Sequence, residues 1–162
     1  MDSIIYSDVA PDEFVFITLV TCYKRKVFIR YDVNKYACDA LKFHIEQNHV
    51  QIGGFVIMPD HIHLMVRTVD WDYPDFVKNY KTFTGDKIKK TVGFSKKLWR
   101  RRFFDIPIIG PVDFHKRLDK MHTSPVKNGL AENPEEYLWS SLSNYSGEPG
   151  YVPVTLVKPP KC

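Results

Sequence analysis

The chain has 162 residues, 44% of them hydrophobic, which fits one globular domain with a buried core and argues against intrinsic disorder. Its three cysteines, Cys22, Cys38 and Cys162, form no Cys-x-x-Cys pair, which argues against a disulfide framework and a zinc ribbon and favours a reducing compartment. The net charge of +4 is modest, and no apolar run is long enough to predict a membrane span, so we expect a cytoplasmic protein without a membrane partner.

The first half of the chain alternates strand and helix patterns. The β-branched and aromatic run FVFITLVTC (14–22) predicts a strand. Apolar residues near the helical period then predict an amphipathic helix from Tyr31 to about Asn48. The runs VQIGGFVIM (50–58) and HIHLMVRT (61–68) predict two paired strands, which the tight turn Pro59-Asp60 joins.

Glycine and proline mark the elements that follow. The pair Gly53-Gly54 predicts a bulge or a close backbone approach in the second strand. A second helix is predicted from about Pro74, with Gly93 as its stop. The run RRFFDIPII (101–109) predicts a fourth strand, and Pro107 places it at a sheet edge because proline lacks the N–H donor.

Additional helices are predicted in the C-terminal part. One runs from about Val112 to Thr123 and is halted by Ser124-Pro125, and a short one lies near Pro134 to Leu142. The order strand, helix, strand, strand, helix, strand is the split βαβ arrangement, so we expect an α+β, ferredoxin-like sandwich with an antiparallel sheet.

We expect one domain over residues 1–162. Its core spans about 14–110, its C-terminal helical segment about 111–146, and an extended tail follows at 147–162.

Basic residues concentrate between positions 78 and 102, where ten of the 23 lie against one acid, Asp86. The ten are Lys78, Lys81, Lys87, Lys89, Lys90, Lys96, Lys97, Arg100, Arg101 and Arg102. The aromatic residues among them are Tyr80, Phe83, Trp99, Phe103 and Phe104. Cations beside aromatic rings suit the phosphates and unpaired bases of nucleic acid, although an ordinary solvated helix face shows a similar charge run.

His61 and His63 are separated by one residue on a predicted strand, so both side chains point to one face while Ile62 points to the other. Two imidazoles placed in this way can share one divalent ion, if another part of the fold supplies a further nitrogen or oxygen donor. Two polar residues on the solvent face of a half-buried strand would show the same spacing.

The segment VIMPDHIHLMV (56–66) resembles the signature of the HUH single-tyrosine transposases, especially the REP-associated tyrosine transposases of bacteria. The resemblance covers roughly residues 14–146 in four motifs, the other three being FVFITLVTCYKRKVF, KLWRRRFFDIPI and SPVKNGLAENPEEYLWSSLSNY. It implies a ferredoxin-like core, Mg²⁺ or Mn²⁺ held by His61 and His63, and a surface for single-stranded or hairpin DNA. It also implies strand cleavage and transfer in DNA transposition, through a 5′-phosphotyrosine bond, by a monomer or a homodimer.

The run KMHTSPVK (120–127) departs from the family pattern, which has tyrosine at the position of Lys120 and an amide at that of Ser124. The two positions share a helix face because they are four residues apart. An ammonium group does not attack as a tyrosinate does, and a serine hydroxyl is a poorer metal ligand than an amide oxygen. We therefore expect a chain that binds DNA and whose cleavage step is lost or weakened.

Further readings remain open from the sequence. Tyr137 is a candidate substitute nucleophile, and Ser124 is a weak candidate for a third metal ligand. The chain also fits a catalytically inactive, domesticated DNA-binding regulator. A small metal-binding or interaction module that shares the fold is the third reading, because a fold alone implies no chemistry.

Overall fold

The computed structural model describes residues 4–69 and 71–160. Four strands in this part of the chain form one sheet: β1 (Val15–Val20), β2 (Val50–Met58), β3 (His61–Thr68) and β4 (Phe104–Pro107). They lie in the order β2-β3-β1-β4, and every neighbouring pair is antiparallel. This order is that of the split βαβ arrangement, so the predicted ferredoxin-like fold is confirmed, as is the edge position of β4.

Two long helices, α1 (Tyr31–Glu46) and α2 (Tyr73–Val92), cover one face of the sheet. Their apolar faces enclose the larger core with the inward side chains of all three long strands. Helix α2 has a proline in its first turn and ends at Gly93, whose left-handed φ of 87° is one that glycine adopts at little cost. Within the described residues, no helix combines the length and the apolar character needed to cross a membrane.

A third helix, α3 (Gly110–Lys127), packs on the opposite face of the sheet. The prediction that it ends before Ser124-Pro125 is wrong, since Pro125 lies inside the helix and is buried. Proline removes one backbone hydrogen bond, but Pro125 continues the buried row of Phe114, Leu118 and Met121. Packing on the sheet therefore outweighs the local preference of proline to stop a helix.

The glycine pair of β2 lets α3 approach the sheet closely. The strand register shifts between Ile52 and Gly54, which confirms the predicted bulge. A Cβ atom added at Gly54 would lie 2.5 Å from Leu118 Cδ1, and one added at Gly53 would lie 2.8 Å from the Phe14 ring. Any side chain at these positions would push against α3 or the residues beneath it.

The segment after α3 lines the outer edge of β2 instead of forming the short helix predicted near Pro134 to Leu142, so that prediction is wrong. Only a 3-10 turn (Pro134–Glu136) and a four-residue helix, α4 (Leu142–Tyr145), are present there. Between them, Trp139 and Ser141 exchange backbone hydrogen bonds with β2. The extended conformation prevails because it satisfies backbone groups that would be unpaired at the edge of the sheet.

Candidate metal centre and nucleic-acid interface

His61 and His63 project together from the face of β3 that carries α3. Their ring centroids are 4.7 Å apart, and the planes are steeply inclined at 69°. Ile62 and Leu64 point the other way into the core beneath α1 and α2. The alternation of the strand therefore brings two imidazoles into one half-buried site.

Each histidine is held by a hydrogen bond at its Nδ1 atom. The Nδ1–H of His61 donates to Asp60 Oδ1 at 2.6 Å, and Nδ1 of His63 lies 2.9 Å from Thr18 Oγ1. Thr18 is the register partner of His63 on β1, so the sheet itself fixes this contact. Because both Nδ1 atoms are engaged, the two Nε2 atoms remain available to bind a ligand. Metal-binding histidines typically have their other ring nitrogen hydrogen-bonded, as Asp60 and Thr18 bond the Nδ1 atoms here.

Burial keeps His63 neutral near pH 7. The pKa of His63 is lowered to about 4, mainly by loss of solvent and to a smaller extent by the neighbouring His61. The ring also stacks on Phe16 at 5.1 Å between centroids. A neutral imidazole carries the nitrogen lone pair that a metal needs, so His63 fits the role of a ligand.

The two histidines fit a divalent ion as a pair, and the structure assigns no third ligand to them. Across residues 4–69 and 71–160, no group of three or more His, Cys, Asp or Glu residues is arranged to hold a metal. A bound ion would therefore need a neutral oxygen, a water or a substrate phosphate to complete its shell.

Lys120 and Ser124 lie on one side of α3 and contact neither histidine through a described hydrogen bond or ion pair. Lys120 is exposed, and Ser124 is half-buried. The Ser124 carbonyl accepts a 2.8 Å hydrogen bond from Asn128 Nδ2, and the same amide lies 3.3 Å from Ser124 Oγ. Ser124 is thus engaged in ending the helix.

Tyr137 is committed to the packing of the C-terminal segment. Its hydroxyl donates to the Ile57 carbonyl on β2, and burial raises its pKa to about 12. Tyr145, the other tyrosine of that segment, donates to the Gly53 carbonyl at 2.7 Å, and burial raises its pKa as well. A phenol that is buried, protonated and bonded to a backbone carbonyl is a poor nucleophile, which argues against Tyr137 in that role.

Tyr23, which no sequence motif marks as functional, lies at the histidine end of the sheet. Two residues earlier, the Thr21 amide donates to the Asp60 carbonyl at 3.0 Å, next to His61. Tyr23 is 82% exposed and has a left-handed φ of 59°. That conformation is uncommon outside glycine and has no signal in the local sequence, so only the structure reveals an accessible tyrosine here.

Six of the ten predicted DNA-binding cations line one cavity of about 550 Å³ between α2 and the chain before β4. The six are Lys78, Lys81, Lys89, Lys97, Arg100 and Arg101. The remaining four, Lys87, Lys90, Lys96 and Arg102, are exposed outside it. None of the ion pairs among the described residues involves any of these ten side chains. The positive charge of the ten is therefore not neutralised by a described carboxylate.

The predicted role of the interleaved aromatic residues needs a correction. Tyr80 and Trp99 are buried in the core, where Trp99 Nε1–H donates to Thr84 at 2.9 Å, so neither ring is free to stack on a base. Phe83 and Phe104 are exposed, and Phe103 is half-buried beside the cavity. Helical spacing cannot distinguish the inward Tyr80 from the outward Phe83 without the register of α2 on the sheet.

The basic cavity and the histidine pair meet at one end of the sheet. The Arg100 amide donates to the Val20 carbonyl at 2.9 Å, and Val20 is the register partner of His61. His61 and Arg100 are therefore separated by about two strand spacings, roughly 10 Å. The loop side of the basic cavity therefore joins the sheet at the end where His61 lies.

Comparison with known proteins places this geometry in a family context. The family model described as "Transposase IS200 like" matches residues 14–108, more than half of the chain. A Haemophilus influenzae protein described as a REP-associated tyrosine transposase is 28% identical over 138 residues, which cover 78% of each chain.

Two solved structures share the fold. A REP-associated tyrosine transposase bound to a REP hairpin superposes with a TM-score of 0.64 and 17% identity, over 91% of this chain and 86% of that one. A Deinococcus radiodurans protein described as a transposase gives a TM-score of 0.53 and 20% identity, over 81% of this chain and 99% of that one. At these identities the likeness establishes the fold.

Proposed function

Because the chain belongs to the IS200-like transposase family, we propose that it binds single-stranded or hairpin DNA and that its strand-cleavage step is lost or weakened. The observation that carries this proposal is the pairing of a preoriented histidine site with an α3 whose matching positions are Lys120 and Ser124. In this proposal, His61 and His63 are the metal-binding half of a cleavage site, and the half on α3 lacks its nucleophile.

The DNA-binding part of the proposal is supported by charge and by the relatives. Four of the six cavity cations are exposed, and none of the six has a carboxylate partner within 4 Å among the described residues, which suits a phosphate-binding surface. The structural relative is described as bound to a REP hairpin, and a folded repeat is a reasonable substrate class for this chain. We also place the protein in the cytoplasm, where DNA is accessible and thiols such as Cys22 and Cys38 stay reduced.

We propose that His61 and His63 hold a divalent ion, Mg²⁺ or Mn²⁺, through their Nε2 atoms. Such an ion would act as a Lewis acid on a phosphate oxygen. Asp60 and Thr18 would keep the two rings oriented, and the burial of His63 would keep it unprotonated and able to bind. Ser124 is a weak third ligand in this proposal, because Asn128 already engages its hydroxyl side.

The loss of cleavage rests on the chemistry of the nucleophile. Lys120 is exposed on α3, and an ammonium group has three N–H donors and no lone pair with which to attack phosphorus. Its charge suits a phosphate instead, so Lys120 would bind the DNA backbone where the family's tyrosine would cut it. The alternative of a regulator that never cuts follows from the same observation.

A combined binding and nicking assay tests the proposal. We expect labelled hairpin DNA to bind with an affinity that falls steeply as salt rises, since each neutralised phosphate releases counterions. In the presence of Mn²⁺, we expect the wild type to form little or no 5′-phosphotyrosyl adduct. His61→Ala is compared with His115→Ala, which removes a histidine of α3 whose described hydrogen-bond partner is the Lys158 carbonyl.

Two outcomes separate the possibilities. An adduct formed by the wild type and by His115→Ala, but not by His61→Ala, would show that cleavage survives, and Tyr23→Phe would then test the accessible tyrosine. Salt-insensitive or absent binding of hairpin and single-stranded DNA would contradict the DNA-binding function itself and favour the interaction-module reading.

A further inference from the structure

We propose that the cavity between α2 and residues 97–103 binds one unpaired nucleotide of the DNA strand, with the base inside the cavity and its phosphates among the rim cations. This inference rests on the proposed DNA-binding function and adds a recognition site to it. It predicts that the protein reads bases as well as backbone charge at this place.

The lining of the cavity matches the two halves of a nucleotide. Pro74 and Phe103 form an accessible apolar wall, and Leu98 and Trp99 close the bottom. Cationic side chains surround this apolar part on both the helix side and the loop side, and one carboxylate, Asp86, lies among the six cations. Its volume of about 550 Å³ lies within the usual range for sites that enclose a small organic group. Apolar surfaces accept a base, and the cations accept its phosphates.

Gly85 supports a binding role because its presence in α2 has no packing explanation. It lies in the interior of α2, where glycine lowers helix stability relative to alanine. A Cβ atom added there would meet only Trp99 Cδ1, at 3.9 Å, which is an ordinary contact. Alanine would therefore fit in the folded chain, so the missing methyl group serves to keep space open in the cavity that Gly85 lines.

Lys81 holds the loop side of the cavity in position. Its ammonium donates to the carbonyls of Arg100 and Arg101 at 2.8 and 3.2 Å, and it lies 5.6 Å from the centre of the Phe103 ring. An ammonium has three donors, so one remains for a ligand. The loop is thus fixed before DNA arrives, which reduces the ordering that binding must impose.

Phe103 is the side chain placed to stack on the base. The ring is half-buried and lines the cavity, and its edge-to-face contact with Tyr73, at 6.4 Å between centroids, holds its orientation. Aromatic rings bind bases of any identity through their faces, whereas the rim cations bind phosphates. The two contributions can therefore be separated by removing bases from the probe.

The test measures binding of two fluorescent probes by anisotropy: a ten-nucleotide oligothymidine and a strand of the same length and charge whose nucleotides are abasic. The proteins are the wild type, Gly85→Ala, which adds a methyl group to the lining of the cavity beside Trp99, and Phe103→Leu, which removes the ring but keeps an apolar side chain. Asn79→Ala is the control, because it adds an alanine to α2 at an exposed position outside the cavity. Thermal unfolding of each variant is recorded alongside.

We expect the wild type to bind oligothymidine more tightly than the abasic strand. Gly85→Ala and Phe103→Leu should each weaken oligothymidine binding at least about fivefold and leave abasic binding unchanged. Gly85→Ala should also unfold at a higher temperature than the wild type, so lost binding could not be ascribed to misfolding. Asn79→Ala should bind both probes as the wild type does.

Three results would overturn the inference. Equal wild-type affinity for the two probes, unchanged oligothymidine binding in Gly85→Ala and Phe103→Leu, or an equal loss of both probes would each show that no base enters the cavity. In all of these the chain still binds DNA, so the proposed function stands. Failure of the wild type to bind either probe or hairpin DNA would instead contradict the proposed function, and with it this inference.

Discussion

The side chains of Thr18 and His63 meet across the two central strands of the sheet, with 2.9 Å between Oγ1 and Nδ1. The contact spans 45 residues of sequence and exists because β1 and β3 pair in one register. It couples the orientation of a candidate metal ligand to the stability of the sheet itself.

Replacing Thr18 with valine should weaken Mn²⁺ binding about 10- to 100-fold, because His63 would lose the partner that fixes its ring and tautomer. Calorimetric titration of the folded protein with Mn²⁺ measures this directly. Thr68→Val, at the far end of β3, is the matched control and should bind the ion as the wild type does. Equal Mn²⁺ affinity for Thr18→Val and the wild type would show that the Thr18 contact has no part in metal binding.

Restoring the family residues on α3, as Lys120→Tyr with Ser124→Asn, should create a 5′-phosphotyrosyl adduct on hairpin DNA in the presence of Mn²⁺. Both positions are solvent-accessible, so the larger side chains fit without disturbing the buried face of the helix. The control combines Lys120→Phe with Ser124→Asn, which adds the ring but no hydroxyl and should form no adduct. A restored chain that binds Mn²⁺ and hairpin DNA yet does not cut would refute our explanation of the lost activity.

The sheet and its flanking helices were predictable because each element carries a local signal. Strand patterns, the Pro59-Asp60 turn and Gly93 depend on nearest neighbours along the chain, and the structure places those elements close to their predicted bounds. Pro125 was misread because the burial that retains it in α3 depends on a sheet formed some 60 residues earlier. At Pro125, long-range packing therefore outweighs the local preference of proline to end a helix.

The candidate site was likewise predictable from the sequence only in part. The spacing of His61 and His63 was readable from the period of a strand, and Asp60 is their neighbour in sequence. Thr18 could not be found, since it meets His63 only after the strands pair. Among the aromatic residues, the sequence does not separate the buried Tyr80 and Trp99 from the exposed Phe83, because a charged neighbourhood does not reveal which side of a helix or loop is buried.

Gly53→Ala should lower the free energy of unfolding by about 1 to 3 kcal/mol, the usual range for overpacking a filled core. The new methyl group would lie 2.8 Å from the Phe14 ring and 3.0 Å from the Phe114 ring, and neither ring can bend away as a flexible chain would. Urea unfolding followed by circular dichroism measures the change. Gly85→Ala is the internal comparison and should raise the free energy of unfolding, because its methyl group meets no close atom and alanine has a higher helix propensity than glycine.

Stability should decrease as pH falls from about 6.5 toward 4, in part because of His122, whose Nε2 lies 2.7 Å from Ser141 Oγ. Burial lowers the pKa of His122 from its ordinary 6.5 to about 4, with a smaller contribution from His115. Above pH 6.5 the ring is neutral in both the folded and the unfolded state. Below it, the unfolded state takes up the proton first, so the balance shifts toward unfolding, by up to roughly 3 kcal/mol.

Replacing the titrating ring isolates this contribution, because His122→Asn keeps a polar, uncharged side chain facing Ser141. The free energy of unfolding of the variant should change less than that of the wild type between pH 6.5 and 5, a window above the range in which most carboxylates titrate. The remaining slope should come partly from His63, whose pKa is lowered to about 4 in the same direction. The free energy of unfolding of the double variant His63→Asn with His122→Asn should therefore depend less on pH than that of either single variant. A pH dependence as steep as that of the wild type in the double variant would contradict the assignment.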